Sequence, residues 1–246
     1  MTIVITMAGL GSRFRKAGYT VPKYRIEVNG HTLFYWSMLS LCGFATKRYV
    51  FIVRKEDDAS AFITGACREF GIDAPVILEI DRLTSGQAET AALAAPYWDE
   101  DEPLLVYNID TYVQAGQMCD AQLRGDGFIP CFAGEGDHWS FVRLDEAGKA
   151  AEIREKTRIS DHCTVGAYYF RSARLYMELY TEFYLTGDRP LDAGERYIAP
   201  LYNYLVREKH GDVYISDIPA DRVHVLGTPE EVEAFRHISG YEGQTV

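Results

Sequence analysis

A short apolar run, Ile3 to Met7, ends in Ala8-Gly9-Leu10-Gly11-Ser12-Arg13-Phe14, and this junction restricts the fold more than any other stretch. Two glycines at the end of a β-rich run leave the backbone bare in a tight turn, which in an α/β protein is where amide N–H groups can face a phosphate. The dinucleotide fingerprint G-x-G-x-x-G needs a third glycine for close helix packing, but Phe14 stands there; a Walker A loop needs G-K-[ST], which is missing. The turn leads instead into a set of cations, Arg13, Arg15 and Lys16, then Pro22-Lys23. From the glycines alone, a triphosphate cradle and a plain turn with solvated Arg13 and Lys23 are equally good readings.

Runs with strand character at Tyr49 to Arg54, Val76 to Ile80 and Leu104 to Tyr107 continue the pattern begun at Ile3. Helical patterns at Leu33 to Cys42, Asp57 to Phe70 and Gln87 to Tyr97 lie between them, the rhythm of parallel strands covered on both faces. After Asp110 the rhythm changes. Gly125 to Ala133, Trp139 to Leu144, Ala151 to Glu155 and Val165 to Phe170 read as strands with few helices between, and Leu175 to Tyr184 and Glu195 to Glu208 read as helices. The expectation is one α/β domain over residues 1–246 with a mixed, mostly parallel sheet flanked by helices. Its nucleotide-binding half spans 1–112, and a half spanning 113–246 completes the sheet and covers its mouth.

Composition narrows the partners. Asp and Glu number 36 against 25 Lys and Arg, a net charge of −11, with no basic run, so a nucleic-acid or anionic-membrane surface is not expected and any phosphate must be met locally. The five cysteines are scattered without a CxxC pair, which fits a reducing cytoplasm better than a disulfide framework or a zinc knuckle. The start lacks a basic n-region and reads as a strand, and Leu33 to Ala45 is too short and too interrupted to span a bilayer.

Asn108-Ile109-Asp110 places a carboxylate at the C-terminal end of an apolar strand, where α/β sheets bind ligands; alone, Asp110 is either a Mg²⁺ ligand or the cap of a turn. Gly86-Gln87-Ala88-Glu89-Thr90 opens a helix. Glu152 to Arg158 alternate in charge as a solvated strand end would. The six histidines lack metal-ligand spacing and read as surface or packing residues. Tyr176, Tyr180 and Tyr184 form one helical stripe, read as core or dimer surface ahead of a cage for a quaternary ammonium.

Taken together, Met7 to Phe14 with Pro22-Lys23 and Ile26 to Gly30, then Asn108-Ile109-Asp110, Trp139 to Val142 with Gly148, Glu152 to Lys156, Gly166 to Phe170 and Gly227 to Glu231 resemble the sugar-phosphate nucleotidyltransferase family, in order and over nearly the whole chain. The resemblance implies a Rossmann-like fold and transfer of a nucleoside monophosphate from an NTP to a phosphorylated acceptor, releasing pyrophosphate, with Mg²⁺ as cofactor and a role in surface polysaccharide or related biosynthesis. It implies backbone contacts to the nucleotide from Ala8, Gly9 and Gly11, base recognition by Gly86 and Gln87, a nucleotide contact from Asn108, and catalytic neutralisation of the triphosphate by Arg13 and Lys23. Asp110 would hold the metal. Ser140, Glu155, Lys156, Gly166 and Glu195 would meet the acceptor.

Three positions depart from the family pattern. Val225 stands where a second metal-binding aspartate is usual, with Asp217 and Asp221 nearby; Tyr24 replaces a proline; Ser140 replaces a glycine beside the acceptor. An acceptor phosphate, with its second pKa near ~6, is already ionised, so no general base is required. CTP, UTP, dTTP and GTP all suit this architecture, as do a sugar 1-phosphate, phosphocholine, another phosphorylated metabolite or a phosphonate, and a homodimer is compatible with it. The competing functions are a glycosyltransferase, which would be expected to carry D-x-D where Asn108-Ile109-Asp110 stands, and a sensor that has lost its chemistry.

Overall fold

In the computed structural model, which describes residues 1–187, 189, 191, 194–238, 240 and 241, β1 (Thr2–Thr6) leads through the glycine turn into the short α1 (Ser12–Lys16). Phe14, the residue that rules out a dinucleotide fingerprint, is buried and packs edge-on against Tyr19, closing the turn with an aromatic wedge. A small hairpin, β2 (Glu27–Val28) and β3 (His31–Thr32), precedes α2 (Leu33–Leu39). Thr32 caps α2 by accepting from the Tyr35 amide, and all seven residues of this helix are buried. Then come β4 (Tyr49–Arg54), α3 (Ser60–Glu69), β5 (Val76–Ile80), α4 (Gln87–Ala92) and β6 (Leu104–Asn108).

The second half runs β7 (Thr111–Val113), β8 (Gly127–Ala133), β9 (Ser140–Leu144), β10 (Ala150–Glu155), β11 (His162–Thr164) and β12 (Ala167–Phe170). After these come α5 (Ala173–Tyr180), α6 (Ala199–Arg207), β13 (Val213–Ile218), β14 (Val223–Val225) and α7 (Pro229–Arg236). The helix expected from Leu175 to Tyr184 passes into a wider π-type turn over Thr181–Leu185. The helix expected from Glu195 begins four residues later, with Pro200 in its first turn where the missing N–H costs nothing.

One ten-stranded sheet joins both halves in the order β10-β9-β11-β8-β12-β6-β1-β4-β5, with β13 added against β8. Its core is parallel: β1 lies between β4 and β6, and β5 follows β4. Such strands are covered on both faces, which is why TIVIT, YVFIVR and LLVYN read as continuous apolar runs rather than alternating ones. Beyond β6 the pairings turn antiparallel through β12, β8, β11, β9 and β10, with β13 parallel to β8. The Rossmann-like, mixed α/β sheet with a parallel core is thus the observed architecture.

Two clusters of buried side chains cover the two faces, one around α2, α3 and α7 and the other around α4, α5 and α6. Strand order reverses between β1 and β6, so a crevice opens beyond their carboxyl ends. Met7 to Gly11 and Asn108 to Asp110 lie at those ends. Among the described residues no helix is long and apolar enough to cross a membrane, and all five cysteines are unpaired.

Candidate active site

Two cavities meet in this crevice. The larger, of about 600 Å³, is walled by the end of β1 and its loop (Thr6 to Leu10), by Leu83 to Gln87 and by Lys23. The smaller, of about 220 Å³, is walled by Trp139, Ser140, Glu155, Tyr168, Tyr197 and Glu231 among others. Gln87, Asn108 and Asp110 line both, so the strand-end motif N-I-D is the shared partition.

The turn that closes the larger cavity is held by a carboxylate. Glu89 accepts from the backbone amide of Ser85 at 2.7 Å, from the Ser85 hydroxyl and from Arg82 at 2.7 Å. Partial burial pushes the Glu89 carboxyl up, but these donors outweigh it and bring it down to about 2. Gly86 adopts φ +141°, and a side chain there would press within 2.6 Å of the Arg196 backbone, so only glycine lets the turn dock. Docking is mutual: Arg196 N donates to Ser85 O at 2.6 Å and Ala88 N donates to Arg196 O at 2.9 Å. Gln87 then reaches the Thr6 hydroxyl at 3.2 Å, tying α4 to the end of β1.

The tyrosine stripe is core, as expected, yet its hydroxyls serve this same turn. Tyr176 OH donates to Ala88 O at 2.5 Å, Arg196 donates to Tyr180 OH at 2.9 Å and Tyr184 OH donates to Tyr197 O at 2.6 Å. Segment 194–198, pinned this way, touches both cavities: Glu195 lines the larger, Tyr197 and Ile198 the smaller.

Lys23 Nζ and Asp110 Oδ2 are 2.6 Å apart, with side chains only 18% and 26% exposed. The cation read for the triphosphate and the carboxylate read for the metal are therefore neighbours. Beside them, Gly166 at φ +81° packs beneath the Asn108 amide, where any side chain would collide. Asn108 Oδ1 is buried without a hydrogen-bond partner.

In the smaller cavity, Ser140 sits opposite Glu155 in the β9–β10 pairing, and its hydroxyl lies 2.5 Å from Glu155 Oε2. The same hydroxyl is 3.3 Å from Tyr168 OH, which also meets Thr164 at 3.1 Å; burial pushes the Tyr168 phenol well up, so it remains protonated. Ser140, in place of a glycine, thus fixes the orientation of Glu155. Lys156, at φ +52°, does not line either cavity: its Nζ lies 2.5 Å from Tyr197 OH and 4.4 Å from the ring centre. Burial would lower the Lys156 ammonium, and the Tyr197 hydroxyl with the Glu155 and Glu195 carboxylates raises it instead.

The structure gathers Ala8, Gly9, Lys23, Gly86, Gln87, Asn108, Asp110 and Glu195 around the larger cavity, and Arg13, Ser140, Glu155 and Gly166 around the smaller. Gly11 lies just beyond, in a cleft with Pro22 and Lys23. Glu195, read for the acceptor, stands on the opposite side from Ser140, and Lys156 stands behind Tyr197. Asp217 pairs with His162 and Asp221 with Arg222, and neither lines either cavity; Val225 does. Sequence patterns do not single out Glu89, Tyr197 and Glu231 as site residues. The S-G-x-x-E spacing around Gly86 is the available signal for Glu89; Glu231 ends the Gly227 to Glu231 stretch without a role of its own there, and Tyr197 lies in a segment of mixed charge and aromatics.

Neither a protein-family model nor a curated protein matches the chain. Among solved structures, a nucleoside-diphosphate-sugar pyrophosphorylase from Vibrio cholerae RC9 is similar over 96% of this chain and 100% of its own, with a TM-score of 0.87 and 38% identity. The chain belongs to the sugar-phosphate nucleotidyltransferase family. An inositol-1-phosphate CTP transferase from T. maritima, 16% identical, shares the fold over 100% of this chain and 97% of its own with a TM-score of 0.79. The chain is accordingly a nucleotidyltransferase, the reading preferred to a glycosyltransferase or a sensor.

Proposed function

We propose that this nucleotidyltransferase joins an NTP in the larger cavity to a phosphorylated small polar acceptor in the smaller one, releasing pyrophosphate. The observation that carries this reading is the shared partition of Gln87, Asn108 and Asp110, because a reaction between two bound substrates needs two cavities that meet at the reacting atoms.

The NTP lies with its phosphates along the Ala8-Gly9 backbone, and its base reaches the Ser85-Gly86-Gln87 turn. Leu10 and Leu83, apolar side chains that stand exposed on two walls of this cavity, give the base a surface to pack on. Lys23 turns from Asp110 to the triphosphate as it arrives, and Arg13, on the acceptor side, offers a guanidinium to the reacting phosphates. The acceptor phosphate, already ionised, attacks without a general base. Glu155, held by Ser140, accepts from hydroxyls of the acceptor body, and Trp139 and Tyr197 give that body flat apolar faces.

Asp110 together with the unpartnered Asn108 Oδ1 makes an all-oxygen donor set that fits Mg²⁺, which favours one or two carboxylates and completes its shell with phosphates and water. Bound there, the ion would neutralise phosphate charge. The smaller cavity needs this, since Asp110, Glu155 and Glu231 face Arg13 as its one permanent cation among the described residues.

Among the acceptors open to such a cavity, a sugar 1-phosphate suits the carboxylate and aromatic walls. A matrix of four NTPs against sugar 1-phosphates, phosphocholine and phosphonates, with Mg²⁺ and pyrophosphate release as readout, tests the reading. One pair should release pyrophosphate in step with formation of the nucleotide-linked product. Pyrophosphate release that ignores every acceptor, or glycosyl transfer from a nucleotide-sugar, would overturn it.

A further inference from the structure

Glu231 enters neither the sequence motif for the metal nor the acceptor contacts, yet it stands at the partition. It is the third residue of α7, whose cap is Thr228, accepting from the Glu231 amide at 3.2 Å. From there the side chain turns back, and Gly227 N–H donates to Glu231 Oε2 at 2.9 Å. A capping box would have this carboxylate accept from the cap residue itself, so its placement one residue earlier is not explained by capping the helix.

What it faces is Asp110. A Cβ built on Gly227 would lie 3.3 Å from Asp110 Oδ2 and 3.5 Å from Glu231 Oε2, so the two carboxylates flank one small space that the glycine leaves empty. Backbone bonds set this approach: Leu226 N donates to Asp110 O at 2.7 Å, and β14 pairs with β7 with Val225 opposite Thr111. Asn108 Oδ1, buried and unpartnered, lines the same cavity. Two carboxylates held near each other repel unless a cation lies between them, and Lys23 reaches only the Asp110 side.

We propose that Glu231 is the second carboxylate of the divalent-metal site, delivered from the first turn of α7. The assignment rests on Asp110 being the first. It makes Val225 a neutral wall residue and leaves Asp217 and Asp221 without a part in the site.

Binding of Mn²⁺ alone, read as loss of the free-ion EPR signal, tests this without turnover. Glu231→Gln keeps an oxygen for the Gly227 amide and should weaken Mn²⁺ binding about tenfold or more with the thermal midpoint unchanged, as loss of a group that holds a metal does. Thr228→Ala, which removes the cap and leaves the carboxylate, should lower the midpoint and spare Mn²⁺ affinity. If Asp110→Asn weakens binding and Glu231→Gln does not, Glu231 is a structural residue and the assignment falls while the metal reading stands. If Asp110→Asn has no effect either, the metal reading itself falls. Should Glu231→Gln fail to fold, Glu231→Asp, which keeps the charge and draws the carboxylate back by one methylene, should weaken Mn²⁺ binding several-fold; unchanged affinity there would overturn the proposal.

Discussion

The two cavities are built by opposite means. The larger is made chiefly of two continuous segments, Thr6 to Leu10 and Leu83 to Gln87, which bring the bare backbone of Gly9 and Gly86 and are locked by local bonds such as that from Ser85 N–H to Glu89. The smaller takes its walls from α1, β9, β10, β11, the turn before β12, the segment before α6 and the start of α7, and presents side chains. A surface of backbone recognises what all NTPs share, their phosphates, and tolerates changes of side chain. A surface of side chains recognises one acceptor and is remade by single substitutions. On the proposed function, this contrast accounts for a glycine loop that keeps the family pattern while Ser140 and Val225 depart from it.

Perturbing a charge at the partition tests the contrast most severely. Lys23→Ala should reduce turnover by roughly a hundredfold to a thousandfold, the scale of losing one transition-state charge contact. Pyrophosphate release at saturating substrates is the measurement, and near-parental turnover would remove the triphosphate from the larger cavity. The thermal midpoint should barely move, because the lysine leaves Asp110 able to meet solvent.

On the side-chain wall, Glu155→Gln should lower acceptor kcat/KM roughly tenfold or more, as expected when hydrogen bonds to a charged group become neutral ones, and leave the KM for NTP alone. Equal losses for both substrates would mean that the cavities do not divide the labour. Lys156→Ala should have a smaller consequence, a few-fold rise in acceptor KM, since its ammonium acts through Tyr197 rather than on the cavity. Tyr197→Phe should reproduce that rise, and a much steeper loss for Lys156→Ala would place the lysine on the acceptor phosphate.

The mildest test concerns the floor beneath the Gly227 wall. His224 is buried among Tyr112, Phe235 and Tyr241, and burial lowers its imidazole from 6.5 to about 4. The unfolded chain therefore binds more protons between these values, so the stability contributed by neutral His224 is fully present above 6.5 and is lost as pH falls towards 4. The thermal midpoint of the parent should fall by roughly a few degrees more than that of His224→Phe over this interval. Parallel curves would show that the histidine is charged in the folded state.

Residue patterns by themselves determined the parallel core and the place of the glycine loop. Ile3 to Ile5, Tyr49 to Val53 and Leu104 to Tyr107 are buried on both faces, which makes each a continuous apolar run that announces itself locally. The loop and the N-I-D motif come directly after such strands, so their place at the carboxyl ends was legible from order alone. What only the tertiary structure decided lies where residues distant in the chain meet. Nothing local predicts that Lys23 rests on Asp110, that the hydroxyls of Tyr176, Tyr180 and Tyr184 pin segment 194–198, or that Glu195 lines the larger cavity while Lys156 meets Tyr197. Glu231 is the clearest instance: in sequence it is one more acidic residue in the first turn of a helix, and it gains a carboxylate partner only because β14 pairs with β7 and brings Gly227 over Asp110. Periodicity records which face of an element is buried, and it carries no information about which elements the chain later brings together.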